Sequence, residues 1–408
     1  MVVAAHEEEP NKSLIIRKSF RVREYDPERD RLGVEDVERR CEVGPSGSVS
    51  LYTDLLGDPI CRVRHSPAFL MLVTTTPKLI IFFTYYYVAQ MDDEEGEIVG
   101  LIRGCIKSVT CGQKLSRNPN TLNSAVPVYT KLAYILGLRV SPSHRRMGIG
   151  LKLVSRMEQW FRDTGAEYAY MATDKDNKPS VSLFTERCGY SKFRTPSILV
   201  QPVFAHRVKL PSRIAIIKLA PADADRLYRR RFSTTEFFPR DIDAVLHNPL
   251  SLGTFLAVPS RFAWAGIDRF LVEPAESWAV VSIWNCKEVF TLEGAPVAAD
   301  TVGARAVQAV RGALFVWGGG SGPEGVRMVR GLCGYAHNVA KEYGCGVVAT
   351  EVASCEPLKP GIPHWERLSC AEDLWCVKRL GEDYSDGSVG DWTKSKPGNS
   401  IFVDPREI

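Results

Sequence analysis

Residues 143–150 read Ser-His-Arg-Arg-Met-Gly-Ile-Gly, an R-x-x-G-x-G pattern at Arg145, Gly148 and Gly150 with His144 and Arg146 beside it. Glycines let a backbone approach a ligand closely, and the unpaired amides of a helix's first turn point at whatever lies in front of them. Cationic side chains in such a place describe an anion site, with phosphate the natural guest. Two familiar phosphate loops fail on the letters. A dinucleotide fingerprint needs a third glycine where Leu153 stands, and a nucleotide-triphosphate loop needs Gly-Lys followed by Ser or Thr, which is absent. A glycine turn carrying solvated arginines is the remaining alternative for these eight residues taken alone.

Other reactive side chains give less. The eleven cysteines form no C-x-x-C pair, and an odd count suits neither a disulfide framework nor a zinc site. A reducing compartment follows. Asp174-Lys175-Asp176-Asn177 hints at a calcium loop, but Lys178 stands at the next ligand position and the required glycine is missing. With the histidines also lacking metal spacing, no metal is expected. Cys188 has no histidine in view and reads as a small buried residue. The stretch Gly-Gly-Gly-Ser-Gly-Pro-Glu-Gly (318–325) imitates the first loop, without an arginine and with Glu324, which would repel phosphate.

The elements that must position the loop are legible around it. Residues 131–140 continue apolar without alternation, as a strand buried on both faces does. From Ile149 to Asp163, Ile149, Leu153, Met157, Trp160 and Phe161 share one side of a helix that Gly165 ends. Residues 167–173 predict the next strand and 180–190 a helix ending at Gly189. Upstream, 20–27 suits a strand, 30–41 a short helix, and the acidic turn 91–97 leads into a strand at 98–106, together a hairpin. Residues 69–91 reach membrane-spanning length, but four threonines, Pro77 and Lys78 interrupt them. They read as strand, with 74–87 inserted between Met71–Val73 and Val88–Met91, and no membrane association is expected. Farther on, 326–344 predicts a helix followed by a strand at 347–351, a faint echo of the first half; any two helix–strand units would look as similar.

With 408 residues and 45% hydrophobic content, two domains are expected, joined near 201–213. We place them at 18–205 and 212–380, with a polar, loop-like tail at 381–408; residues 291–312 also read as loop. The net charge of +4 is scattered, so no direct nucleic-acid binding is expected. The N-terminus carries acids where a signal peptide carries basic and apolar residues, so an intracellular protein, nuclear or cytoplasmic and not secreted, is expected.

The order of strand, R-x-x-G-x-G loop, helix, strand, Asn177 and the helix segment L-F-x-x-x-C-G-Y (183–190) resembles the GCN5-related N-acetyltransferase superfamily. Strings such as KLAYILGLRVSPSHRRMGIG, RFSTTEFFPRDID and DWTKSKPGNSIFVDPREI resemble its plant Hookless-like branch, associated with control of differential growth. The resemblance implies an α/β fold on a mixed sheet, with a second, degenerate copy behind it. It implies acetyl-coenzyme A as co-substrate, its pyrophosphate at the helix start and its pantetheine arm paired to the fourth strand between two splayed strands. Carried over by residue, the donor would meet Leu138, Arg139, Val140, Arg145, Arg146, Met147, Gly148, Ile149, Gly150, Asn177 and Phe184. The acceptor would be an amine, a protein lysine or an N-terminus.

The catalytic half of the pattern is weaker. Phe184 stands where the family commonly has a proton-donating tyrosine, and no Asp or Glu lies between Tyr129 and Val140 to serve as base. Tyr134 and Tyr190 are the candidates left, each also explained as a packing residue. A protein that binds acetyl-coenzyme A without transferring it, a sensor or scaffold, is the alternative.

Overall fold

The computed structural model describes residues 20–41, 50–52, 58–76, 78–81, 88–91, 96–115, 125–287, 289, 291–293, 307–310, 317–318, 322–381 and 390–407. The N-terminal segment, the acidic turn 92–95, the inserted residues 82–87 and most of 294–321 lie outside this set; of the stretch 291–312 read as loop, Thr291–Glu293 and Val307–Val310 are strands instead.

In chain order the first half contains β1 (Arg21–Glu24), α1 (Pro27–Arg40), β2 (Ala68–Thr75), β3 (Ile98–Leu115), β4 (Ala125–Val140), α2 (Ile149–Asp163), β5 (Tyr168–Asp174), α3 (Lys178–Ser182), β6 (Ser191–Arg194) and β7 (Ser197–Pro202). The second half adds β8 (Ile214–Leu219), α4 (Pro221–Phe232), α5 (Ile242–Leu246), β9 (Ser251–Pro259), α6 (Ile267–Val272), β10 (Ala279–Trp284), β11 (Val307–Val310), α7 (Pro323–Glu342), β12 (Val347–Val352) and β13 (Asp373–Arg379). Residues 78–81 and 88–91 pair with each other as a separate hairpin. The inserted stretch thus leaves the main sheet after Thr75. Among the described residues no helix is long and apolar enough to cross a membrane.

Strand pairing crosses the boundary that the sequence places near 205. β7 leaves the first sheet and pairs antiparallel with β12, Ser197 opposite Val352 through Pro202 opposite Val347. In return β13 lies between β5 and β6, from Asp373 opposite Asp174 to Arg379 opposite Tyr168, with Trp375 opposite Arg194. The seven-stranded sheet therefore runs β1-β2-β3-β4-β5-β13-β6. β13 suits an inner place. Leu374 and Cys376 enter the core under α2, while Trp375 and Val377 enter the core on the opposite face. A strand apolar on both sides can sit only where both faces are covered.

The two faces are covered differently. α2 packs Ile149, Leu153, Met157 and Phe161 onto one, with Trp160 partly buried beside them, as the periodicity predicts. On the other, Leu132, Tyr134, Leu136, Tyr168 and Tyr170 join Leu227, Tyr228 and Phe232 of α4 and Phe237 and Phe238 in one core that spans both halves.

Of the residues after Leu380, read from sequence as a loop-like tail, those described from 390 to 407 are corrected by the structure. Trp392 and Phe402 are each 1% exposed and Ile401 and Val403 are buried, all in the shared core. The Trp392 indole donates to Glu236 at 2.6 Å, and Glu236 also receives Arg194 of β6. Few apolar residues over a charged stretch give no period to read; they act here as a strap whose charges are satisfied by neighbours distant in sequence.

In the second half, β11 and β12 pair in parallel, Ala309 opposite Val347, with α7 between them, as β4 and β5 do with α2 between. The loop joining the halves is gripped by α7. Phe204 N–H donates to His337 Nε2 at 2.7 Å, and Asn338 exchanges two hydrogen bonds with the Val208 backbone.

Candidate active site

Strands β4 and β5 pair in parallel only from Leu132–Tyr168 to Ile135–Met171. Both continue, β4 to Val140 and β5 to Asp174, without further pairing between them. The divergence has a local cause. Leu101 opposes Arg139 while Arg103 opposes Leu136, so β4 carries one residue more than β3 across this interval, a bulge that bends it away from β5. Gly137, at φ +64°, sits in the bulge, and a Cβ there would lie 2.4 Å from Arg103 Nη1. Both the left-handed backbone and the close guanidinium demand glycine.

Arg103 is fully buried, donating from Nη1 to Glu38 at 2.9 Å and from Nε to the Pro59 carbonyl at 2.5 Å. Arg139 meets the other Glu38 oxygen at 3.3 Å. Although burial opposes it, this pair of arginines holds the Glu38 carboxyl below the usual range. Of the residues assigned to the donor, Arg139 thus aims its side chain at α1 rather than at the split, leaving its backbone as the part available to a ligand.

Where β4 ends, Arg146 at φ +65° and Gly148 at φ +82° curl the chain on either side of Met147. A non-glycine residue held there stores about 1–3 kcal/mol of strain, which the surrounding fold must offset. Gly148 is the N-cap of α2 and no side chain caps the helix, so its first-turn amides face outward together with the positive end of the helix dipole. A Cβ on Gly148 would meet nothing within 4 Å, whereas Gly150 lies against Leu183 and Val140. Arg145, Arg146, Met147 and Gly148 are exposed and Ile149 is buried. Arg145 Nε donates to the Val140 carbonyl at 3.3 Å, and the Leu138 carbonyl accepts from Arg139 at 3.1 Å. Across the split, Asn177 is exposed and caps α3, accepting from the Ser180 amide at 3.3 Å. The structure therefore brings Leu138, Val140, the loop 145–150 and Asn177 to the open end of the same split.

Three assigned side chains do not face it. Phe184 is 1% exposed, locked in the α2 core edge-on to Tyr190, and has no free face for a ligand. Tyr190 is buried in the same core, where burial first and the neighbouring Glu158 carboxylate next push its phenol well above the ordinary value. It is no proton donor there. Tyr134 lies on the other face, stacked on Tyr170 with ring centroids 4.4 Å apart, its phenol also raised by burial. The two tyrosines are thus separated by the sheet. Cys188 is buried, and burial pushes its thiol up to about 11.

Beside Tyr134 the structure assembles polar residues that sequence reading missed, because their partners come from the strap. Lys107 of β3 meets Glu407 Oε2 at 2.5 Å and Asp404 at 3.3 Å. Tyr170 donates to the same Glu407 oxygen at 2.5 Å. Arg406 grips Asp404 at 2.7 Å and Asp241 at 2.6 Å, and Arg62 donates to the Glu407 carbonyl at 3.2 Å. Nothing in the sequence pointed to Lys107, because the predicted strand ends at 106 and the observed one runs on to Leu115.

A mixed sheet with a bulged fourth strand, a split beside the fifth and an uncapped helix behind an arginine–glycine loop is the arrangement of one transferase fold. The chain belongs to the acetyltransferase (GNAT) family, whose description matches residues 65–190. It is 61% identical, over 95% of its length and 99% of the relative's, to the Arabidopsis thaliana protein named probable N-acetyltransferase HLS1. It is also 36% identical, over 95% of its length and 97% of the relative's, to the rice (Oryza sativa subsp. japonica) acetyl transferase GW6a. A solved GCN5-related N-acetyltransferase from Sphaerobacter thermophilus superposes with a TM-score of 0.44 at 14% identity, over 90% of this chain and 98% of that one.

Proposed function

We propose that this acetyltransferase takes its acetyl group from acetyl-coenzyme A and delivers it to a protein amine, a lysine or an N-terminus. The observation that carries the reading is the uncapped start of α2 at the mouth of the β4–β5 split. Arg145, Arg146 and the amides of 147–150 would hold the pyrophosphate, Leu138 and Val140 would pair with the pantetheine arm, and Asn177 would hold its far side. A ligand extended along β4 from Val140 to Leu136 spans five residues, four steps of about 3.3 Å or about 13 Å of strand. That lays its end where the strands rejoin. The second half is read as a degenerate copy: its helix α7 starts at Gly322, but Glu324 stands in the first turn, paired with Arg327 at 2.7 Å, where a phosphate would need a positive field. A role in plant growth control at a nuclear or cytoplasmic site belongs to the same proposal.

Calorimetric titration with acetyl-coenzyme A tests it. Saturable binding by the wild type is expected, weakened at least about tenfold in Gly148→Glu, a loss of about 1.4 kcal/mol or more. The new side chain enters open space and adds a charge at the phosphate position, at the cost of strain in the left-handed backbone. Absence of saturable binding by the wild type refutes the reading. A second reading, donor binding without transfer, is favoured by Phe184, which has no proton to give, and by the burial of Tyr190 in the α2 core away from the split. Release of free thiol in the presence of amine acceptors separates the two.

A further inference from the structure

A transferase that uses a protonated amine needs a group to accept its proton, and β4 supplies none. Besides Glu407, the carboxylates that bear on Tyr134 or its neighbours are Glu351 of β12 and Asp373 of β13, which raise its phenol and are themselves engaged by neighbours, and Glu38, Asp404 and Asp241. Glu38 has its oxygens taken by Arg103 and Arg139 and is held low. Asp404 is gripped by Arg406 and Lys107 and is likewise held low, against its burial. Asp241 spends both oxygens on Arg406, at 2.6 and 3.1 Å. Glu407 differs. Lys107 and Tyr170 both bind Oε2, while Oε1 is buried and has no hydrogen-bond partner. The side chain is only 9% exposed.

Its position follows from strand register. Cys105, Tyr134 and Tyr170 form one row across β3, β4 and β5, directly behind the last pair, Ile135–Met171, before the split opens. Tyr170 delivers Glu407 to that row from the face that α2 does not cover. We propose that Glu407, carried in by the C-terminal strap, accepts the proton of the acceptor amine. This rests on the acetyl-transfer reading above.

The step balances. An ammonium gives one proton to Glu407 Oε1, directly or through one water. The neutral nitrogen attacks the thioester carbonyl, its bond to carbon forms and the carbon–sulfur bond breaks. The nitrogen's second proton goes to the departing thiolate, and Glu407 returns its proton to solvent. Burial raises the Glu407 carboxyl above its ordinary value, the direction a base working near neutrality requires, although Lys107 and the Tyr170 hydroxyl oppose the shift. The charged or titratable groups around it are Lys107 and Cys105 of β3, Tyr134 of β4, Tyr170 of β5, Arg62, and Asp404 and Arg406 of the strap. Lys107, held protonated by Asp404 and Glu407 despite its burial, keeps one oxygen anchored and leaves the other to work.

The test uses the full chain, acetyl-coenzyme A, and two acceptor probes: poly-L-lysine and a pool of peptides with free amino termini. Glu407→Gln keeps the shape and the Tyr170 hydrogen bond. It is expected to lower kcat by about 10²–10⁴ while acetyl-coenzyme A binding changes less than about twofold, and to abolish the acid limb of the pH–rate profile. Glu407→Asp keeps the charge for Lys107 and the acid limb, and is expected to lose about tenfold or more in kcat because its oxygens retreat by one methylene. A Gln variant within about threefold of wild type, or one slowed with the acid limb intact, overturns the assignment. So does an Asp variant at the wild-type rate, even where the Gln variant does not fold. Wild-type protein that binds acetyl-coenzyme A yet releases no thiol with either probe overturns the transfer reading and the assignment together.

Discussion

Gly137→Ala is the substitution that most directly tests how the split is made. Two penalties add. A side chain at φ +64° costs about 1–2 kcal/mol. The new Cβ would also stand 2.4 Å from Arg103 Nη1, about 1 Å inside ordinary contact, and Arg103 is fully buried and held by Glu38 and Pro59. Moving it breaks or stretches the bond to Glu38 at 2.9 Å or that to Pro59 at 2.5 Å, each charge-assisted and worth about 1.5–3 kcal/mol. The sum is about 2.5–5 kcal/mol, and straightening the bulge would narrow the β4–β5 gap. Gly148→Ala is the matched control. Its φ is +82° but nothing lies within 4 Å of the added carbon, so only the backbone term of about 1–2 kcal/mol applies. Urea unfolding of both variants, with acetyl-coenzyme A titrations, gives the comparison. Equal destabilisation of the two would refute the claim that packing of Gly137 on Arg103 sets the bulge.

Two other perturbations act away from the split. Trp392→Ala is expected to cost about 3–5 kcal/mol, because the ring is 1% exposed among Tyr168, Phe193 and Phe237 and its indole serves Glu236; a urea midpoint unchanged from wild type would show that the strap is not part of the core. His337 is held below the ordinary imidazole value by burial and must be neutral for Nε2 to accept the Phe204 amide, so its contribution is complete above about pH 6.5 and is lost as pH falls toward the folded-state value. Hydrogen exchange of a peptide spanning 203–210, corrected for the intrinsic rate, is expected to lose protection between pH 7.5 and 5.5; constant protection would count against it.

How far the sequence reaches depends on whether an element's partners are near or far along the chain. α2 was legible to the residue, Ile149 to Asp163, because a 3.6 period and a glycine start and stop are local properties. β4 and β5 were legible from apolar runs, and the loop between them from its arginines and glycines. The bulge was not, since its signal is a register difference between β3 and β4 that only pairing reveals. Phe184 and Tyr190 show the same limit from another side: the resemblance set Phe184 by the donor and left Tyr190 as a candidate acid, but the faces they turn were decided by packing under α2.

The exchange of β7 and β13 explains why the catalytic half was least legible of all. A domain reading that ends at 205 and 380 assigns each strand to the half that encodes it, yet β13 completes the first sheet and β7 the second. With β13 seated between β5 and β6, the chain that follows must emerge beside the first sheet, and it wraps the face opposite α2. Asp404, Arg406 and Glu407 are therefore brought to β3 and β5 by topology, across about 300 residues of sequence in the case of Lys107 and Asp404. Neither half closes this face alone: β3, β4 and β5 contribute Lys107, Tyr134 and Tyr170, and the strap contributes the carboxylate that Lys107 requires. A charged lysine inside a strand is costly without that partner. The buried ion pair thus ties the seating of the C-terminal residues to the integrity of the first sheet.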